Sequence, residues 1–237
     1  MNFITAIIDF FRGLFGGKKS KAPTEFPIVQ RPVPPDELTA DVIVTLDGNS
    51  MSYAYAPILK EKLKAAYGDN VQFFDFSIPG QTTRQMSASA KEVDAIPAKD
   101  QSKRHILVVW EIRNEMNLGI ASSAREAVDN MKRYCHERFL AGFDTIILLG
   151  PLPSGGSFGG SWNAISHIEV TSILAKETPA FCDYFVNLYQ LCPQLRSPSD
   201  RKYFKEDMLH LTDAGSEIVA SEVIDSIDIF LQLNGDV

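Results

Sequence analysis

Residues 42 to 51 read Val42-Ile-Val-Thr-Leu-Asp-Gly-Asn-Ser-Met51. The run Val42 to Leu46 is a short apolar segment typical of a buried strand, and the polar residues behind it mark a strand-to-helix turn. Ile58, Leu59, Leu63 and Ala66 then share one helical face. The same alternation recurs along the chain. Val71-Gln-Phe-Phe-Asp-Phe76, His105-Ile-Leu-Val-Val-Trp110, Asp144-Thr-Ile-Ile-Leu-Leu149 and Phe185-Val-Asn-Leu188 read as further strands. Helices are expected over Ser122 to Leu140, around Ile165, Ile168 and Ile173, and in a closing segment with Ile218, Val219, Val223, Ile227 and Phe230. Strands alternating with helices make βαβ units and a mainly parallel sheet. Near-continuous apolar strands require cover on both faces. The expected fold is a three-layer α/β/α sandwich. Ligands of such sheets sit beyond the carboxyl ends of the strands, so a site residue should closely follow a strand.

The chain has 237 residues, enough for one domain with a full core. Its formal net charge of -7 gives no electrostatic footprint for nucleic acid, but leaves room for a neutral polymer such as a polysaccharide. Three cysteines, Cys135, Cys182 and Cys192, form neither a disulfide framework nor a zinc pattern, and read as free or buried thiols.

The N-terminal segment differs from the rest. Phe3, Ile4, Ile7, Ile8, Phe11, Leu14 and Phe15 recur at helical spacing, and Gly16 and Gly17 stop the helix. Residues 1–17 are thus expected to form an amphipathic helix, too short to span a bilayer and without the pattern of a secretory signal. Residues 18–40 carry Pro23, Pro27, Pro32, Pro34 and Pro35 and form an extended spacer, ahead of a domain over 41–237. Three readings compete for the helix: docking on a partner protein or assembly, lying on a membrane surface, or packing on its own domain. The spacer favours an anchoring peptide that docks on a partner. The expected location is the cytoplasm or a larger particle such as a virion.

Four segments can carry chemistry. Ser50 follows the first strand with its hydroxyl free and its N–H at a helix start; it suits a nucleophile and an oxyanion donor, and equally a helix N-cap. Gly80, in Ser77-Ile-Pro-Gly80-Gln-Thr-Thr, allows close backbone approach to a ligand, or serves only its turn. Asn114 follows the third strand and can donate its amide to an oxyanion, or cap a turn. Asp207 and His210, in Asp207-Met-Leu-His210-Leu-Thr-Asp-Ala-Gly215, are spaced so that the acid can fix the imidazole tautomer and free the other nitrogen as base. Metal binding by this pair lacks a third clustered ligand.

The order Ser, Gly, Asn, Asp-x-x-His resembles the SGNH hydrolases, the GDSL-type esterases and lipases, over about residues 41 to 223. Ser50 is similar to the block I nucleophile, Gly80 to the block II glycine, Asn114 to the block III asparagine, and Asp207 and His210 to the block V pair. The resemblance implies a sandwich of SGNH-hydrolase, flavodoxin-like type. There are departures: Asn49 stands where the family has Asp before the serine, Ile112 where it has glycine, and Glu115 where it has Asp after the asparagine. The G-x-S-x-G elbow of α/β-hydrolases is absent, with Ser52 in its last position.

The expected reaction is hydrolysis of a carboxylic ester through an acyl-enzyme, with Ser50, Asp207 and His210 catalytic and Ser50, Gly80 and Asn114 forming the oxyanion hole. No cofactor and no metal is called for. Tyr53, Tyr55, Trp110 and Trp162 can offer flat surfaces to sugar rings or pack in the core, and Gly155, Gly156, Gly159 and Gly160 can form a loop at the rim. An O-acetylated carbohydrate is the expected substrate. A lipase at a membrane surface and a structural or virion-associated protein tethered through the N-terminal helix are the alternatives.

Overall fold

The computed structural model describes residues 31–34, 37–117, 120–155 and 164–233. The expected amphipathic helix, most of the spacer, Trp162 and the later glycines of the 151–160 loop lie outside them. Among these residues five strands, β1 (Val42–Gly48), β2 (Val71–Asp75), β3 (Arg104–Trp110), β4 (Thr145–Leu149) and β5 (Tyr184–Val186), form one sheet in the order β2-β1-β3-β4-β5. Every pairing is parallel, with Val42 opposite both Val71 and Arg104, and Ile106 opposite Thr145. The helices are α1 (Ser50–Tyr67), α2 (Thr83–Ala88), α3 (Lys91–Lys99), α4 (Arg113–Asn117), α5 (Ala124–Leu140), α6 (Ala164–Glu177), α7 (Leu188–Leu191) and α8 (Asp213–Leu233).

Alternate residues of each strand feed opposite cores, as the pleat dictates. Val42, Val44, Leu46, Ile106, Val108, Ile147 and Leu149 pack against Leu59 and Leu63 of α1 and Val219, Val223 and Ile227 of α8. Ile43, Leu107, Val109, Ile146 and Leu148 pack against Val93 and Ile96 of α3, Val128 and Met131 of α5, and Val170 and Leu174 of α6. Two helical layers thus enclose the sheet in the expected three-layer sandwich. Strand positions match the sequence reading to within a residue or two. The short helices α2, α3, α4 and α7 were not expected.

Tyr55 and Trp110 are core residues rather than sugar platforms. Their rings meet edge to face at 5.5 Å between centroids, and they are 0% and 3% exposed. Tyr53 is 57% exposed. The three cysteines are buried and free, with no bridge between Cys182 and Cys192. Among the described residues no helix is long and apolar enough to cross a membrane.

The chain leaves β1 for β2 on one side and β3 on the other. The order therefore reverses between β1 and β3, and the crevice beyond their carboxyl ends is where such sheets bind ligands. Ser50 follows β1 and Asn114 follows β3.

Candidate active site

Ser50 is the first residue of α1, and Asn49 is the cap. The Asn49 side-chain oxygen accepts from the Met51 N–H at 2.8 Å. Asn and Asp cap equally well, which accounts locally for Asn49 in place of the family's Asp. With capping done by its neighbour, the Ser50 hydroxyl is free for other work and lies 2.8 Å from His210 Nε2.

His210 is fixed from behind. Its Nδ1 lies 2.6 Å from Asp207 Oδ2, while Asp207 Oδ1 accepts the backbone N–H groups of Leu209 and His210, each at 2.9 Å. With Nδ1–H donated to the carboxylate, Nε2 is left as the acceptor facing Ser50. Burial alone would raise the Asp207 pKa; the bonds from the His210 ring and from the two backbone amides outweigh it and hold the carboxyl below its usual range. The turn that carries the pair closes through Met208, whose φ is +55°. The Met208 carbonyl accepts from Gly155 N–H at 2.9 Å, and a Cβ on Gly155 would stand 3.1 Å from the Met208 sulfur. The start of the loop after β4 thus lies directly on the Asp207–His210 turn.

Gly80 and Asn114 sit on the adjoining loops. Gly80 takes a φ of +85°, which glycine alone adopts at little cost. Its turn is tied to β1 by the Ile78 N–H donating to the Gly48 carbonyl at 2.9 Å. The Asn114 side-chain amide donates one N–H to the Gln81 carbonyl at 2.9 Å, joining the loop after β3 to the loop after β2. Ser50, Asp207 and His210 are therefore in direct contact, while Gly80 and Asn114 are linked to each other through Gln81.

The departures in block III are structural neighbours of this arrangement. Ile112 adopts a φ of +113°, a conformation natural to glycine and strained for a β-branched side chain, and it is buried. Glu115 is buried against Arg84, with Arg84 Nε at 3.1 Å, and accepts from Asn130 Nδ2 at 2.7 Å.

Several residues of the site carry no sequence signature. Glu111 is buried beneath the start of α4 and accepts the N–H groups of Asn114 at 2.9 Å and Glu115 at 3.2 Å and the Thr83 hydroxyl at 2.8 Å. Burial, reinforced by the charge of Glu115, pushes its pKa up to about 8. Arg113 is buried beside it and donates to the Leu152 carbonyl at 2.9 Å. Desolvation pulls its pKa down to about 9 against the opposing pull of Glu111 and Asp207. Asp47 and Gln81 form a second buried set below the site. An acid directly after the apolar run, still within β1 and fully buried, was the hint of that set.

The fold has close counterparts among solved structures. A lipase/acylhydrolase from Enterococcus faecalis superposes with a TM-score of 0.63 at 18% identity, over 78% of this chain and 95% of that one. A psychrotrophic esterase, EstA, from Pseudoalteromonas gives 0.60 at 17%, over 81% and 100%. An acetyl-xylooligosaccharide esterase from Geobacillus, solved as a mutant, gives 0.62 at 14%, over 79% and 94%. The fold is that of the SGNH hydrolases. No family model and no curated protein matches the sequence.

Proposed function

We propose that the protein is a serine ester hydrolase that works through an acyl-enzyme and removes O-acetyl groups from a carbohydrate. The observation that carries this reading is the unbroken relay from Ser50 Oγ through His210 to Asp207, at 2.8 Å and 2.6 Å. In the first step His210 Nε2 takes the Ser50 proton as Oγ attacks the ester carbonyl carbon. Asp207 steadies the imidazolium that forms. The tetrahedral oxyanion is held by the Ser50 and Gly80 N–H groups and by the Asn114 amide. His210 then protonates the leaving alcohol. Water, deprotonated by the same nitrogen, releases the acid and restores the serine.

An acetyl group as the acyl portion is favoured by the likeness to the acetyl-xylooligosaccharide esterase. Carbohydrate as the alcohol portion rests on the likeness to the acetyl-xylooligosaccharide esterase and on exposed Tyr53, one helical turn from Ser50. Docking of the N-terminal helix on a partner or particle belongs to the same proposal.

The test is hydrolysis of p-nitrophenyl acetate, longer acyl esters and O-acetylated oligosaccharides by wild type and by Ser50→Ala. The expected result is cleavage of acetate and of the oligosaccharide, falling at least about a thousandfold in the variant. Undiminished activity in Ser50→Ala would remove the nucleophile assignment. A preference for long chains would replace the deacetylase with a lipase.

A further inference from the structure

Asp47 is a fully buried acid in β1, three residues before Ser50, and the Ser–His–Asp relay makes no use of it. A buried carboxylate is costly unless paired and hydrogen-bonded. Its partner comes from the proline-rich stretch ahead of the sheet. Arg31 Nη1 lies 2.9 Å from Asp47 Oδ2, and neither side chain has any exposed surface. The Tyr134 hydroxyl of α5 donates to the same carboxylate oxygen.

The guanidinium also reaches past Asp47. Its Nε donates to the Ser89 hydroxyl at 2.9 Å, and its Nη2 to Gln81 Oε1 at 3.4 Å and the Met86 carbonyl at 3.5 Å. Gln81 is thereby held at both ends of its amide, because its Nε2 donates to Asp47 Oδ1 at 3.1 Å and to the Gly48 carbonyl. The residue held in this way follows Gly80 directly, and its backbone carbonyl receives the Asn114 amide at 2.9 Å.

We propose that Arg31 is a positioning residue: through Asp47 and Gln81 it sets the Gly80 turn and the Asn114 amide that form the oxyanion hole. The catalytic half of this statement rests on the esterase reading above. The planar fork of arginine meets three elements at once, and a lysine ammonium cannot reproduce it.

The experiment uses full-length Arg31→Met, Arg31→Lys, Gln81→Leu and the Arg31→Met/Gln81→Leu double variant, assayed well below their melting temperatures. Arg31→Met should lower kcat at least about tenfold with KM within about twofold, the signature of an interaction made in the transition state. Arg31→Lys should fall between the two and serves where the methionine variant does not fold. In the Gln81→Leu background the Arg31 change should add no further loss, because both act along one line. A second readout needs no catalysis: the side-chain amide NMR signal of Asn114, assigned with Asn114→Asp, should shift in both Arg31 variants. Wild-type kcat in a folded Arg31 variant, multiplied losses in the double variant, or an unmoved Asn114 signal would each overturn the proposal. A wild type that cleaves no ester would sink the esterase reading alone, and the amide signal would still decide whether Arg31 positions Asn114.

Discussion

At the start of α1, Asn49 and Ser50 are both residue types that cap helices, and geometry decides which of them does so. The cap must sit outside the helix with extended backbone, and Asn49 has a φ of -101° and a ψ of -154°. The residue after it is left with an uncommitted hydroxyl. The Asp207–His210 spacing has a similar local logic, since one carboxylate can meet both its own turn and the ring three residues on. Replacing Asp207 with Asn should keep the fold while reducing kcat on p-nitrophenyl acetate by about 10³–10⁴-fold. An amide that donates toward Nδ1 drives the proton to Nε2, and Nε2 can then no longer accept from Ser50. Near-wild-type turnover in Asp207→Asn would remove Asp207 from the relay. Ser50, Asp207 and His210 were legible in the sequence because each carries a short-range pattern. Arg31 and Gln81 were not, because their partners lie 16 or more and 33 or more residues away, starting with Asp47 and Asn114, and Glu111 was not, because the Thr83 hydroxyl that joins it to α2 is 28 residues distant.

Among the elements, β1 does most to place the site, and its last residue shows why small size matters there. A Cβ on Gly48 would overlap the Ser52 hydroxyl and stand 2.5 Å from the Trp110 carbonyl oxygen. Those two groups are themselves hydrogen-bonded at 3.0 Å, tying the first turn of α1 to the end of β3. Neither has room to retreat. Gly48→Ala should therefore cost about 1–3 kcal/mol or more, as overpacking does. A urea midpoint equal to that of wild type would contradict this packing. The strands and long helices were readable because their apolar periodicity runs over enough residues to be distinctive. The helices α2 and α4, of 6 and 5 residues, are too short to show a period. Their starts are set by tertiary partners and caps, such as the Thr82–Gln85 capping box of α2.

Over the whole molecule, buried acids should shape the response to pH. Glu111 has a pKa of about 8 in the fold against about 4.5 when unfolded. Between these values the folded chain keeps a proton that the unfolded chain releases, so stability falls as pH rises through that window and is level above it. The slope from this one group reaches about 1.4 kcal/mol per pH unit. Glu115, Asp75 and Asp94, each raised chiefly by burial, slope the same way. Urea unfolding from pH 5 to pH 9 should show this decline, and Glu111→Gln should flatten it; a stability that climbs over the range would refute the assignment. One further consequence follows from the 160 residues that separate Ser50 from His210 along the chain. On the ribosome, β1 and Ser50 emerge early, and the turn carrying His210 is made only shortly before α8, which completes the core. On the proposed mechanism, a nascent or prematurely terminated chain therefore carries a serine without its base until that late turn and the helix behind it have been made.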